Sequence, residues 1–192
     1  MDRAFKQLLG VAAVAALERD AGSAYGVWAD GSLGYTNTAW SAFAHANDGD
    51  AVLATWPLGR NVWEAVPEVF VPVYRGLWAS ARETSRPAVH TYECSSPTTR
   101  RVFQMIVHPL DGGAVVVRNY LELEVSHPGA PSPDDAKTYQ GADGFLRMCA
   151  NCRRVQRADL GGWDWVPGFV SRPPRDVTHA VCDACLELYY AE

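Results

Sequence analysis

Apolar positions along the chain change their spacing several times, and each change marks an element. Phe5, Leu8, Leu9, Ala12, Ala16 and Leu17 recur at steps of three and four, which predicts one helix over Asp2–Glu18. Two strand-like runs, Ala24–Ala29 and Leu33–Asn37, flank Asp30-Gly31-Ser32. That is a hairpin signal, because Asp and Gly tolerate positive φ. Trp40, Phe43 and Ala44 set a helix over Thr38–Asn47 with Thr38 as its N-cap. A short turn falls at Asn61–Ala65. Phe70, Val73, Tyr74, Leu77 and Trp78 give a longer helix over Glu68–Thr84, where Pro72 fits only in the first turn. The spacing then drops to two. Ala88–Cys94 places His90, Tyr92 and Cys94 on one face, and Arg101–Leu110 does the same for Phe103, Met105 and Val107. Ala114–Glu124 starts apolar and ends alternating. Short turns such as Asp111-Gly112-Gly113 between long consecutive strands imply an antiparallel sheet.

The segment His127–Gly144 breaks this pattern, with three Pro, three Gly, three Asp and no apolar periodicity. It reads as a linker. The expected organisation is an N-terminal helix (1–20), a body (21–126), the linker (127–144) and a C-terminal module (145–192). Residues 1–144 carry eleven basic and sixteen acidic side chains, and residues 145–192 carry six of each. A net charge of −5 argues against a dedicated nucleic-acid binder. Arg153, Arg154, Arg157, Arg172 and Arg175 are balanced by Asp159, Asp164, Asp176 and Asp183, so nucleic acid is not the expected partner. No apolar run reaches the length of a membrane span. The stretch Leu8–Leu17 imitates a signal peptide, but it fits a helix stripe and runs into Glu18 and Asp20 without a clean cleavage site.

The sharpest chemical signal is cysteine spacing. Cys149-Ala-Asn-Cys152 and Cys182-Asp-Ala-Cys185 are two CxxC pairs, and Cys94 stands apart. Each pair fits one tight turn, and two pairs complete a tetrahedral site of four thiolates. The pattern points to structural Zn2+, with reduced thiols in a cytoplasmic protein. A redox-active dithiol and an iron–sulfur cluster use the same residues and stay open. The 29 residues between the pairs exceed common zinc-ribbon spacing and include Trp163, Trp165, Val166, Phe169 and Val170, enough for a mini-core. His179, three residues before Cys182, is either a ligand or a supporting donor. A c-type haem needs CxxCH, and Arg153 and Leu186 follow the pairs here.

The order of elements over Ala21–Glu124 resembles a PAS domain. The segment "DGSLGYTNTAWSAFAHAN" is similar to the hairpin and first helix of many bacterial PAS sensors. The segment "YECSSPTTRRVFQMIVHPLDGG" resembles a narrower bacterial group with a Cys-x-Ser-Pro turn and paired arginines. "MCANCRRVQ" with "THAVCDACLELYY" resembles a tail that follows some of these domains. The resemblance implies an α+β fold: a PAS-like five-stranded antiparallel sheet with helices on one face, plus a small zinc-ribbon-like module. It also implies a cavity between sheet and helices that could hold a small-molecule ligand. Its expected wall is Trp40, Phe43, Trp63, Tyr74, His90, Tyr92, Phe103 and Met105. Plain core packing is the competing reading of the same residues. The helix position that haem-binding relatives use carries no His, although His45, His90 and His108 exist elsewhere. The Asn-Cys-Arg-Phe motif of flavin-binding relatives is missing.

No GxSxG elbow, phosphate loop, HExxH or kinase signature occurs, so catalysis is not expected. Only seven residues follow Cys185, and no output domain is expected. The implied role is a bacterial sensor or adaptor that acts through an unidentified signalling protein. A homodimer is expected, joined through Phe5, Leu8, Leu9, Ala12 and Ala16. A thiol redox sensor and a zinc-dependent, transcription-linked DNA-binding factor are the alternatives.

Overall fold

Gly10 splits the N-terminal apolar stretch into two helices, α1 (Arg3–Leu9) and α2 (Val11–Glu18). Its φ of 78° ends one helix and starts the next, a conformation glycine adopts without strain. The computed structural model describes residues 2–47, 49–126, 136–159 and 161–190. The chain divides into two compact units. The first holds 1–92 and 103–121, and the second holds 93–102 and 122–192.

Strands β1 (Ser23–Val27) and β2 (Leu33–Thr36) form the expected hairpin. Next come α3 (Thr38–Ala46), α4 (Asp50–Thr55), two short 3-10 turns at Val62–Glu64 and Glu68–Phe70, and α5 (Val71–Thr84). Pro72 sits in the first turn of α5. Strands β3 (Ala88–Glu93), β4 (Thr99–Pro109) and β5 (Val115–Ser126) complete a five-stranded antiparallel sheet of order β2-β1-β5-β4-β3. The first and last strands of this sheet thus pair at its centre, with Tyr25 opposite both Thr36 and Val117.

Helices cover both faces of this sheet, which corrects the expectation of one covered face. Val27, Met105, Val107, Val115 and Val117 pack with Trp78 and Ala81 of α5. Ala24, Tyr35, Ala114 and Val116 pack instead with Phe5 and Leu17, and in β5 the two sets alternate along the chain. This explains why Ala114–Val117 is apolar at every position: a strand buried on both faces has no polar phase. Phe5 lies directly over the strands, since a Cβ at Gly26 or Gly34 would come within 2.4 Å of its ring. Phe5 is wholly buried in its own chain, so it cannot also form the dimer contact expected of it.

Asn37 ties these layers together. Its Oδ1 accepts from the backbone N–H groups of Ala24 and Trp40, each at 2.9 Å. Its Nδ2 donates to Leu17 O at 2.9 Å and Gly22 O at 3.0 Å. Asn37, not Thr38, is therefore the N-cap of α3.

In the second unit, α6 (Ala136–Tyr139) falls within the stretch whose composition reads as linker; residues 127–135 of that stretch lie outside the described residues. Tyr139 is buried against Phe169, and its hydroxyl donates to Asp164 at 3.2 Å. Four short strands follow: β6 (Leu146–Cys149), β7 (Val155–Gln156), β8 (Trp163–Asp164) and β9 (Val177–Ala180). They form a sheet of order β8-β7-β6-β9, in which β6 and β9 run parallel. Helix α7 (Pro167–Ser171) lies between β8 and β9 in the chain, and α8 (Asp183–Tyr190) ends the unit. Tyr139, Leu146, Met148, Val155, Val166 and Phe169 make its core.

Candidate metal centre

The β6–β9 pairing builds the site. Leu146 pairs with Val177 and Cys149 with Ala180, so the end of β6 meets the residue two positions before Cys182. After Cys149 the chain turns back on itself. Arg153 N–H donates to Cys149 O at 3.1 Å, and Cys149 N–H donates to Arg154 O at 2.8 Å. Arg153 takes a left-handed φ of 62° to close this turn, and the turn brings Cys152 beside Cys149. The second pair sits at a helix start. Cys182 precedes α8, Cys185 lies in its first turn, and Leu186 N–H donates to Cys182 O at 2.8 Å. A helix N-terminus carries partial positive charge and favours thiolate.

All four thiols are free and buried, and their sulfurs lie within 4.8 Å of one another. Cys152 and Cys182 approach to 3.5 Å, Sγ to Sγ. A zinc–sulfur bond of about 2.3 Å in a tetrahedron separates sulfurs by about 3.8 Å. The donor set and its spacing thus fit one tetrahedral ion. Contacts from the other three sulfurs hold Cys149 well below the ordinary thiol range. Contact with Cys149 is the largest influence on Cys152 and Cys185 and raises both thiols.

Polar groups around the sulfurs satisfy them further. Cys182 N–H donates to Cys149 Sγ at 3.5 Å, and Asn151 Nδ2 donates to Cys185 Sγ at 3.3 Å. Tyr189 OH donates to Asn151 Oδ1 at 3.0 Å, which fixes the amide orientation. Burial opposes the Arg154 charge, and the neighbouring Cys152 and Glu93 more than restore it. Arg154 Nη2 lies 3.6 Å from Glu93 Oε1. Four thiolates on one divalent ion would leave a net double negative charge, part of which the Arg154 guanidinium would offset. The sequence gives Arg154 only as one of a balanced set of arginines and gives Asn151 and Tyr189 no role; Asn151 and Arg154 sit inside and beside the first CxxC, where supporting donors belong.

His179 is exposed on β9 opposite Met148 and outside the four-sulfur group. Cys94 is also outside it. Desolvation pushes its thiol up, against the pull of Arg153 and Arg101.

The residues expected to line a ligand cavity pack largely on each other. Phe103 meets Phe43 edge-on at 5.6 Å and stacks on Tyr92 at 5.6 Å. Trp40 packs on Tyr25, and Tyr74 on His90. Met105 belongs to the core cluster against which Trp63 and Tyr74 pack. Burial lowers the His90 imidazole. A cavity of about 240 Å³ opens elsewhere, lined by Ala29, Asp30, Trp63, Arg75, Trp78 and Arg82, and it shares only Trp63 with the expected wall.

No helix among the described residues is long and apolar enough to cross a membrane. No family model matches the chain, and no curated protein matches it either.

Proposed function

We propose that the chain is a non-catalytic PAS-type sensor or adaptor of bacterial signal transduction, whose C-terminal unit is held together by one structural zinc ion. The observation that carries the zinc reading is the buried group of four free cysteine sulfurs within 4.8 Å of one another. A unit of short strands and few core residues gains from such an ion the stability its size denies it. The PAS reading is supported by the order β2-β1-β5-β4-β3, with helices α3 to α5 inserted between the hairpin and β3. Signalling passes by protein–protein association, including a homodimer, in the cytoplasm.

Elemental analysis and a visible spectrum of freshly purified protein test this. The expected result is one zinc per chain and no absorbance in the visible. Iron with a charge-transfer band would assign an iron site instead. A Cys149–Cys152 disulfide without metal would favour the thiol redox reading. A light-scattering mass of 42 kDa is expected for a dimer of the 21.0 kDa chain.

A further inference from the structure

The cavity beside α5 has a composition that packing alone does not explain. Arg75, Trp78 and Arg82 project from one face of the helix, spaced by three and four residues. Trp63 and the hairpin residues Ala29 and Asp30 close the other sides. The Arg75 guanidinium lies 5.0 Å from the Trp63 ring centroid, and Arg82 lies 6.0 Å from that of Trp78. The two indoles pack on each other at 4.4 Å. Two N–H donors, Trp78 Nε1 and Arg82 Nε, are buried here with no hydrogen-bond partner. Trp78 itself is only 3% exposed. Buried donors are seldom left without an acceptor, so each unpaired one asks for a missing group.

Charge says what that group is. Neither arginine is within ion-pair distance of a carboxylate among the described residues. The Asp30 carboxylate is already engaged by Ser32, accepting from its N–H at 2.8 Å and its hydroxyl at 2.6 Å. The lining therefore carries two guanidinium charges against one committed carboxylate. Guanidinium and indole N–H groups are all donors and offer no acceptor, so a cation or a hydrogen-bond donor gains little there. A group with several acceptor oxygens and negative charge satisfies them together. The volume of about 240 Å³ accommodates a small ion or the anionic group of a small molecule.

We infer that this cavity is a binding site for a small oxyanion, the carboxylate or phosphate group of a small molecule, held by Arg75, Arg82 and the Trp78 indole N–H. The site is independent of the four-cysteine centre, and its existence does not rest on the metal reading.

The test is a two-dimensional proton–nitrogen spectrum of the full chain, whose seven tryptophans give seven indole signals. Trp78→Phe assigns the signal that matters. Should that variant fail to fold, selective broadening by a label on an exposed neighbour, such as Ser80→Cys, assigns it instead. The protein is titrated with inorganic phosphate and, separately, with acetate at constant ionic strength. Saturable movement of the Trp78 indole signal is expected with at least one of them. Phosphate alone identifies a phosphate site, acetate alone a carboxylate site, and both a site for either oxyanion. Arg75→Gln and Arg82→Gln should each weaken the binding at least tenfold. Arg75 is exposed, so its replacement leaves the fold intact and keeps the test informative. A Trp78 signal unmoved by either anion, or one that moves as strongly in Arg75→Gln and Arg82→Gln as in the unsubstituted protein, overturns the inference.

Discussion

Asn151 Nδ2 donates a hydrogen bond to Cys185 Sγ at 3.3 Å, joining the first CxxC turn to the second across 34 residues of chain. Tyr189 holds the amide in place from α8. Donors to metal-bound sulfur fix ligand orientation and spread its negative charge, and their loss costs about 10–100-fold in metal affinity. Asn151→Ala is expected to weaken zinc binding within that range in a chelator competition. Tyr189→Phe should act in the same direction and less strongly, because the amide remains.

Cys182→Ser should abolish metal retention and unfold the second unit. Hydrogen exchange should then rise over 136–190 and also over the tip 93–102, which belongs to the same unit. The amide of Cys94, which donates to Arg101 O at 3.0 Å, is a suitable reporter. Amides of Val115 and Val117, in the core of the first unit, should stay protected. Loss of protection throughout both units would show that they do not fold separately.

Phe5 is a core residue of its own chain, so Phe5→Ala should lower stability by about 3–5 kcal/mol in urea unfolding. The loss should not depend on protein concentration. A loss that disappears at high concentration would place Phe5 at an interface between copies.

Asp20 is expected to contribute to the acid limit of the first unit. Burial pushes its carboxyl up, but Gly22 N–H, Arg118 and the Tyr120 hydroxyl together hold it below its usual value. A folded-state pKa below the unfolded one means stability that is complete above the unfolded value of about 4. It is lost as pH falls through the lower folded value. Glu18, held down by Thr38 and Tyr35 against burial, acts in the same sense. Asp20→Asn should flatten the acid limb of a stability–pH profile and lower the plateau at neutral pH. An unchanged acid limb would contradict this assignment.

The first half of the chain was legible because its signals are local. The Asp30–Gly31 turn, the apolar spacing of α5 and the alternation of β4 each lie within a dozen residues. Gly10 and Asn37 were harder. A glycine within an apolar run breaks a helix only when packing rewards the bend, and here Phe5 is drawn over Gly26 and Gly34. Asn37 shares cap chemistry with the adjacent Thr38, and only its partners at Leu17, Gly22 and Ala24 decide between them. Helix α4 is six residues long and has no buried residue to set a period. In the second unit the four cysteines were plain from spacing. Its strands β7 and β8 have two residues each, too few for any alternation, and the β6–β9 pair joins residues about 30 apart. Tyr139 lay hidden in a stretch rich in Pro, Gly and Asp, since composition reports the neighbourhood and not the one side chain that packs.

The central claim is a single ion held by Cys149, Cys152, Cys182 and Cys185. X-ray absorption at the zinc edge of the purified chain tests it most directly. One shell of four sulfur atoms at about 2.3 Å is the result expected. A shell containing nitrogen or oxygen at about 2.0–2.1 Å, or a chain that holds no zinc while its cysteines are reduced, would contradict it.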